Sequence, residues 1–474
     1  MKKEIFTDII KIFLSSFFIF LLSWLLFYSV NINKLAVQSE DTLPAMFLPL
    51  SIVKSHTLYL DEYYDMLIQR YPHPDDKDYI KGLTPFYLKK IGDHYASAFP
   101  IITPIISIPL YIIPALSSME INWQNIIFLS HLSSSIIMSL AGSMFYVLLR
   151  KGLNTGRRIG ILGSLIYLFA TINYALISQA MWQHGTVQLF LILATLYWIY
   201  SLQEDKILNY ILFGLFSGLA ILSRPTAVIT FLILLTAAVL YKTKEKFREI
   251  TNVQIKSIVL NKKLLSYLFY TILGILPSVL FFIWYNNTFY QNISNQGYAD
   301  QLLGSWLSPF PQSFLGVWFS PSKGILIYSP IFVFSLMGLT QSLKRKEYRN
   351  VIFFIIILIH TLVISLWKHW YGGWSFGYRM SSDIIPYLVF MIVPFLNSDL
   401  FSKYKKLFYI LFAISVFIEI MGIIFFDGIW HAAYDKGFRD TSWLWSIKDS
   451  EALFNIRRVL VKAGLMEKAC PRCL

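Results

Sequence analysis

Long apolar runs separated by short polar stretches dominate the chain, and their lengths decide what they become. Runs of spanning or near-spanning length fall at about 9–30, 124–149, 159–178, 186–201, 207–223, 226–241, 264–284, 324–341, 351–367, 383–397 and 407–426. An α-helix needs about 20 apolar residues to cross a hydrocarbon core about 30 Å thick. The pattern predicts an all-α polytopic membrane protein with about eleven transmembrane helices. The first run is too long for a signal-peptide core and lacks a small-residue cleavage site, so it is expected to stay as the first span. A further run, Phe99 to Met119, is interrupted by Pro100, Pro104, Pro109 and Pro114. It is expected as a proline-broken helix lying in, or dipping into, the outer interface.

Composition agrees with this class: of 474 residues 56% are hydrophobic and 14% charged, with a net charge of +14. The placement of that charge sets the orientation. If 99–119 does not span, the segments 1–8 with Lys11, 150–158, 202–206, 242–263, 342–350 and 398–406 share one side and hold 22 Lys and Arg against 8 Asp and Glu. The rest of the chain holds 19 of each. The excess therefore lies on one side, which the positive-inside rule makes cytoplasmic. The N-terminus is then inside. The stretches 31–123, 179–185, 285–323 and 368–382 lie outside, together with a tail, 427–474, expected as a small exposed cap. The first outer loop, 31–123, is large and expected to carry interfacial helices.

No nucleotide-binding glycine loop, HExxH or nucleophile elbow is present, and no inverted repeat is evident. Cys470 and Cys473 form a lone CxxC at the extreme C-terminus, open to a disulfide, to metal binding with partners elsewhere, or to no role. The acids concentrate outside the bilayer: nine of 27 lie between Glu40 and Asp93. Glu40 and Asp41 follow the first span by about ten residues, which puts them at the membrane surface, where lipid-linked substrates present their head groups. Asp41 is open to a second reading as a helix N-cap, since a proline follows inside the first turn. Arg224 stands between two apolar runs, so it needs a polar partner: a phosphate, or a structural salt bridge to Asp383 or Glu419. Arg379 is either an anion ligand or a snorkelling interfacial anchor, and His184 either a site residue or an interfacial histidine. Lys368 and His369 complete the cations of the outer face.

The outer segments resemble a known group. DTLPAMFLPLSIVKSHTLYLDEY, IGDHYASAFPIITPIISIPLY, MWQHG, LSRPT, YNNTFYQNISNQGY, FSPSKGILIYSP and WYGGWSFGYR, in that order, are similar to bacterial membrane glycosyltransferases of the GT-C superfamily. That group includes protein O-mannosyltransferases and lipid A aminoarabinose transferases. The resemblance runs from about residue 9 to 426 and implies an inverting transfer of a sugar from a polyprenyl phosphate, with an acidic residue near the start of the first outer loop as catalytic base. By position in its motif that residue is Asp41. Protein mannosyltransferases usually carry Asp-Glu there, whereas this chain has Glu40-Asp41. Position in the motif also marks Asp93 and His94 as residues that line the donor site or form a turn.

The chemistry of such a transfer suits these residues. One carboxylate takes the acceptor proton as the hydroxyl attacks C1, and cations stabilise the charge that develops on the leaving phosphate. The expected catalytic residue is Asp41, with Glu40, Asp93, His94, His184, Arg224, Lys368, His369 and Arg379 at the substrates. No metal or cofactor is required, because the leaving monophosphate is weakly basic; a divalent ion would be helpful and not obligatory. The expected partners are a lipid-linked sugar donor, a glycan, lipid or protein acceptor, and membrane lipid, with no nucleic acid. The expected location is the inner membrane. A rival reading is a transporter or flippase of lipid-linked sugars, in which Arg224, Asp383 and Glu419 line a path; a third is a non-catalytic scaffold.

Overall fold

The computed structural model describes residues 2–30, 39–78, 80–117, 119–247, 262–292, 306 and 308–467. Cys470, Cys473 and much of YNNTFYQNISNQGY lie outside them. About 74% of the described residues are helical. Among the described residues the strands are Leu88–Ile91 and His94–Ser97, an antiparallel pair in which Leu88 faces Ser97 and Ile91 faces His94. Seven helices are long and apolar enough to span: Lys3–Leu26, Trp123–Gly152, Gln183–Gln203, Lys262–Phe289, Tyr348–Leu366, Arg379–Leu396 and Asp399–Phe425. A bent pair, Arg157–Phe169 with Ile172–Gln179, meets at 51° and would make an eighth. The protein is an all-α polytopic membrane protein.

The other expected spans take different forms. Ile207–Ser223 has only 17 residues and Ala227–Phe247 is apolar only over Ala227–Thr243, while 324–341 divides into Ile325–Tyr328, a 3-10 turn at Pro330–Phe332 and Val333–Lys344. Pro330 explains that break, since it cannot donate a helical hydrogen bond. The proline-rich run differs from expectation: Ile102–Leu116 is one continuous helix with Pro109 and Pro114 inside it. It packs against Leu43–Ser55 and meets Gln183–Gln203 through a hydrogen bond between Thr103 and Thr186 at 2.8 Å.

Burial separates centre from rim. In Arg379–Leu396, 89% of the most apolar window is buried, against 28% in Lys262–Phe289 and in Asp399–Phe425. Leu22, Phe269, Ile272 and Phe417 are exposed on the rim helices, as side chains facing lipid should be. Without a hydrophobic drive between helices in lipid, small residues let backbones approach. Gly214 and Gly274 do this: a Cβ on either would stand 2.1 Å from a carbonyl oxygen of the partner helix, Thr271 or Ile211.

Polar contacts join the cation-rich segments to one another in pairs or to neighbouring helix ends. Arg157 reaches Asp8 at 2.7 Å, Lys242 and Lys263 reach Asp205 at 2.8 and 3.1 Å, and Arg345 donates to the Asn397 carbonyl at 3.0 Å. The tail is not a loosely exposed cap. Trp430, Trp443, Leu444 and Phe454 are buried in the same core as the central helices, because four large apolar side chains in a short segment have no other place out of water.

Candidate active site

A cavity of about 850 Å³ opens where the first loop, the starts of two helices, the WYGGWSFGYR loop and the tail meet. Its wall brings together Glu40, Asp41, His184, Arg224, Lys368, His369 and Arg379.

The first loop delivers its acids through local geometry. Ser39 is extended, its carbonyl accepts from the Thr42 N–H at 3.1 Å, and Glu40–Thr42 forms a 3-10 turn leading into Leu43–Ser55. Asp41 does not cap that helix. Its Oδ2 instead accepts from Arg379 Nη1 at 2.5 Å, while the Arg379 guanidinium lies 4.7 Å from the Trp182 ring centre. Arg379 is therefore tied to the first loop and is not a free interfacial anchor. Glu40, beside it, has its carboxyl pushed above the usual range by burial and then by the Asp41 charge.

Arg224 finds the protein partner that its apolar flanks require. Its Nη1 donates to Asp383 Oδ2 at 2.6 Å and to the Met380 carbonyl at 3.2 Å; Thr226 Oγ1 donates to the same carboxylate oxygen at 3.0 Å. His184 Nδ1 sits 3.3 Å from Asp383 Oδ1 and 3.0 Å from Ser382 Oγ. Asp383 thus anchors both a cation and an imidazole at the cavity wall. A lone acid in the apolar run SSDIIPYLVF was the signal for it.

The loop from Trp367 to Arg379 needs its glycines: Gly372 and Gly373 have φ of 85° and 60°. It presents Lys368, which makes no ion pair among the described residues and lies over the Phe438 ring at 5.2 Å. His369 Nδ1 is 3.3 Å from Tyr371 Oη, and its basicity is lowered by burial and then by Lys368. Two N–H groups of the wall, Arg379 Nε and Trp367 Nε1, are buried without a hydrogen-bond acceptor. Such donors, with Lys368, suit an anion.

Asp93 and His94 are not in this wall. They sit at the turn of the hairpin, after Gly92 with φ 59°, where His94 Nδ1 meets Asp61 Oδ2 at 2.6 Å and its ring stacks on Tyr59 at 4.4 Å. The turn reading of GDHY is what the backbone adopts. The sequence reading missed the tail residues Asp427 and Gly428 and the aromatic side chains Tyr71, Phe86, Phe99, Trp374 and Phe426, all of which line the cavity. Among the described residues no group of three or more His, Cys, Asp or Glu could hold a metal ion.

Residues 118–260 match the family model of the dolichyl-phosphate-mannose-protein mannosyltransferases. This is a GT-C family, in agreement with the resemblance carried by the outer motifs. It implies a membrane glycosyltransferase with a lipid-phosphate sugar donor. The matched stretch includes His184 and Arg224 from the cavity wall, while Asp41 and Arg379 lie on either side of it. No curated protein and no solved structure matches the chain significantly.

Proposed function

We propose that this cavity transfers a sugar from a polyprenyl phosphate to an acceptor hydroxyl, with inversion, at the outer face of the inner membrane. The observation that supports it most is the Asp41–Arg379 pair, which joins a carboxylate and a phosphate-compatible cation in one cavity with Lys368, His369, His184 and Arg224. Asp41 Oδ2 holds Arg379, and Oδ1 is the oxygen to take the acceptor proton. As that proton moves to Asp41, the acceptor oxygen bonds to C1 from the face opposite the phosphate. The C1–O bond breaks and polyprenyl phosphate leaves with its electron pair. Lys368 and the Arg379 Nε–H, aimed at the leaving group, stabilise the charge that develops on the phosphate.

The reading includes about eleven spans, with the N-terminus cytoplasmic and 427–474 extracytoplasmic. The short helices Ile207–Ser223 and Ala227–Thr243 and the broken segment 325–344 then complete the crossings. No metal is required on this reading. A transport path through Arg224, Asp383 and Glu419 is less well supported. The first two close on each other at 2.6 Å, and Glu419 accepts from the Ala175 N–H instead of joining them.

The test is transfer by purified protein in liposomes supplied with polyprenyl-phosphate mannose or glucose and candidate hydroxyl acceptors, read by mass spectrometry. Glycosylated acceptor and released polyprenyl phosphate are expected together. Lipid-linked sugar that changes leaflet without being consumed would overturn the reading in favour of transport.

A further inference from the structure

The tail carries a carboxylate that the proposed reaction does not use. Asp427 lines the cavity, and Arg458, itself buried, grips it from behind: Nη2 donates to Oδ2 at 2.6 Å and Nη1 to Oδ1 at 3.1 Å. The Ile429 N–H adds a third bond to Oδ1 at 3.2 Å. A carboxylate offers about four acceptor sites, so three donors fix its orientation and leave capacity for one more. Arg458 Nη1 also donates to the Phe425 carbonyl at 3.0 Å, so the same arginine closes the end of Asp399–Phe425. Tethering the tail could be done out of reach of the cavity. Here one of the tethered groups forms part of its wall.

Beside Asp427 stands an indole with a free surface. Trp374 lines the same cavity, is 51% exposed, and packs against Gly428, where a Cβ would sit 3.6 Å from the ring. Its position is set from two sides: Nε1 donates to Asp435 Oδ2 at 2.7 Å, and the ring stacks on His431 with 25° between planes. His431 Nε2 in turn lies 3.1 Å from Lys323 Nζ, which also donates to the Ser375 carbonyl and stands 3.6 Å from Glu451. His431, Lys323 and Glu451 are buried, so the indole is held against the tail from its inner face.

A fixed carboxylate next to an exposed aromatic plane matches the two faces of a sugar. Hydroxyls donate strong hydrogen bonds to an ionised carboxylate, and the C–H face of a pyranose ring lies flat on an indole. We propose that Asp427 and Trp374 form the sugar-reading subsite of this cavity, with Asp427 accepting a ring hydroxyl, so that the tail and not the first loop sets donor preference. The proposal rests on the reading of the cavity as a lipid-phosphate sugar site.

The experiment compares two lipids on full-length protein in detergent: polyprenyl phosphate and polyprenyl-phosphate mannose, with the glucose form as a second sugar. Wild type is expected to hold a sugar-bearing lipid more tightly than the bare one. Asp427→Asn should cut that ratio roughly tenfold, and Trp374→Leu roughly threefold to tenfold, with bare-lipid affinity unchanged in each. If Asp427→Asn fails to fold because Arg458 loses its partner, Trp374→Leu, which leaves that pair intact, decides alone. A ratio that survives in the folded variants overturns the subsite and leaves the cavity's function standing. Wild type that binds neither lipid overturns the functional reading itself.

Discussion

Arg379 Nη1 lies 2.5 Å from Asp41 Oδ2, although the two residues stand 338 positions apart in the chain. Each of the two rival expectations, a helix cap for Asp41 and an interfacial anchor for Arg379, would have left the other side chain alone. Instead the pair closes the cavity between the first loop and the loop before Arg379–Leu396. Asp41→Asn keeps the shape of the side chain and removes the proton acceptor. It should insert normally and lose turnover by at least about a hundredfold, within the 10²–10⁴ range typical of a general base. Glu40→Gln should do much less. Single-turnover transfer assays decide, and a dead Glu40→Gln beside an active Asp41→Asn would reassign the base.

The two arginines should fail differently. Arg379 lines the cavity with one N–H still unbonded, so Arg379→Gln should reduce donor use with little change in melting temperature. Lys should rescue it only in part, for want of the forked donor set. Arg224 and Asp383 are both buried at 2.6 Å, and removing one partner of such a pair typically costs about 3–5 kcal/mol. Arg224→Gln should therefore lower the melting temperature strongly, and Asp383→Asn likewise, with the double variant costing less than the sum. Unchanged melting in Arg224→Gln would mean that the pair is not formed in the membrane.

His369 gives a pH test with a definite sign. Burial, then Lys368 and Arg379, lower its affinity for a proton, while Asp435 and Asp41 oppose them. Below about 6.5 the unfolded chain takes up a proton that the folded ring resists, so His369 costs stability as pH falls from 6.5 toward its lowered folded value. Above 6.5 it contributes no slope. The stability difference between wild type and His369→Asn should change over that acid window and stay flat from pH 7 to 8. Slope confined to neutral pH would contradict the burial of the ring. A phosphodiester donor remains ionised throughout, so it should bind wild type more tightly as pH drops through the window, and the variant less so.

How far the sequence led depended on what kind of constraint each residue obeys. Span length is a local property, and the runs at 9–30, 124–149, 186–201, 264–284, 351–367, 383–397 and 407–426 each contain or overlap a long helix. Arg224 and Arg379 were legible because a cation beside an apolar run must meet an anion or a ligand. Asp93 and His94 were misplaced because adjacency in a motif does not say which way a hairpin turn faces, and Asp61 holds His94 away from the cavity. Asp427 was hidden for another reason. Its meaning depends on Arg458, 31 positions later in a tail of mixed charge, and no periodicity connects them. The proline-rich run misled through counting: Pro109 and Pro114 each remove one backbone donor, yet the helix Ile102–Leu116 continues through both.

Sidedness is open to a direct check. With Cys470 and Cys473 replaced, single cysteines at Lys81 and Lys406, both exposed, should report opposite sides. A membrane-impermeant thiol reagent on intact cells should label the first and reach the second only after permeabilisation. Labelling at Lys406 in intact cells would reverse the topology and place the Asp41 cavity in the cytoplasm.

The last prediction concerns the buried charges that tie the tail to the loop before Arg379. Lys323 Nζ stands 3.6 Å from Glu451, with both side chains no more than 2% exposed, and Glu451 also accepts from Tyr328 Oη at 2.9 Å. Lys323 further donates to the Ser375 carbonyl, four residues before Arg379. A charge left alone there has no water to turn to, so Glu451→Gln should destabilise by about 3–5 kcal/mol, as other broken buried pairs do. Lys323→Met with Glu451→Leu removes both charges and should restore much of that stability, since buried pairs are often matched by apolar residues of similar size. The double variant still lacks the Lys323 bond to Ser375, so its turnover should remain below wild type while its melting temperature recovers. That separation distinguishes a cluster that positions the Arg379 loop from one that only holds the fold. Full recovery of both would assign the cluster to stability alone.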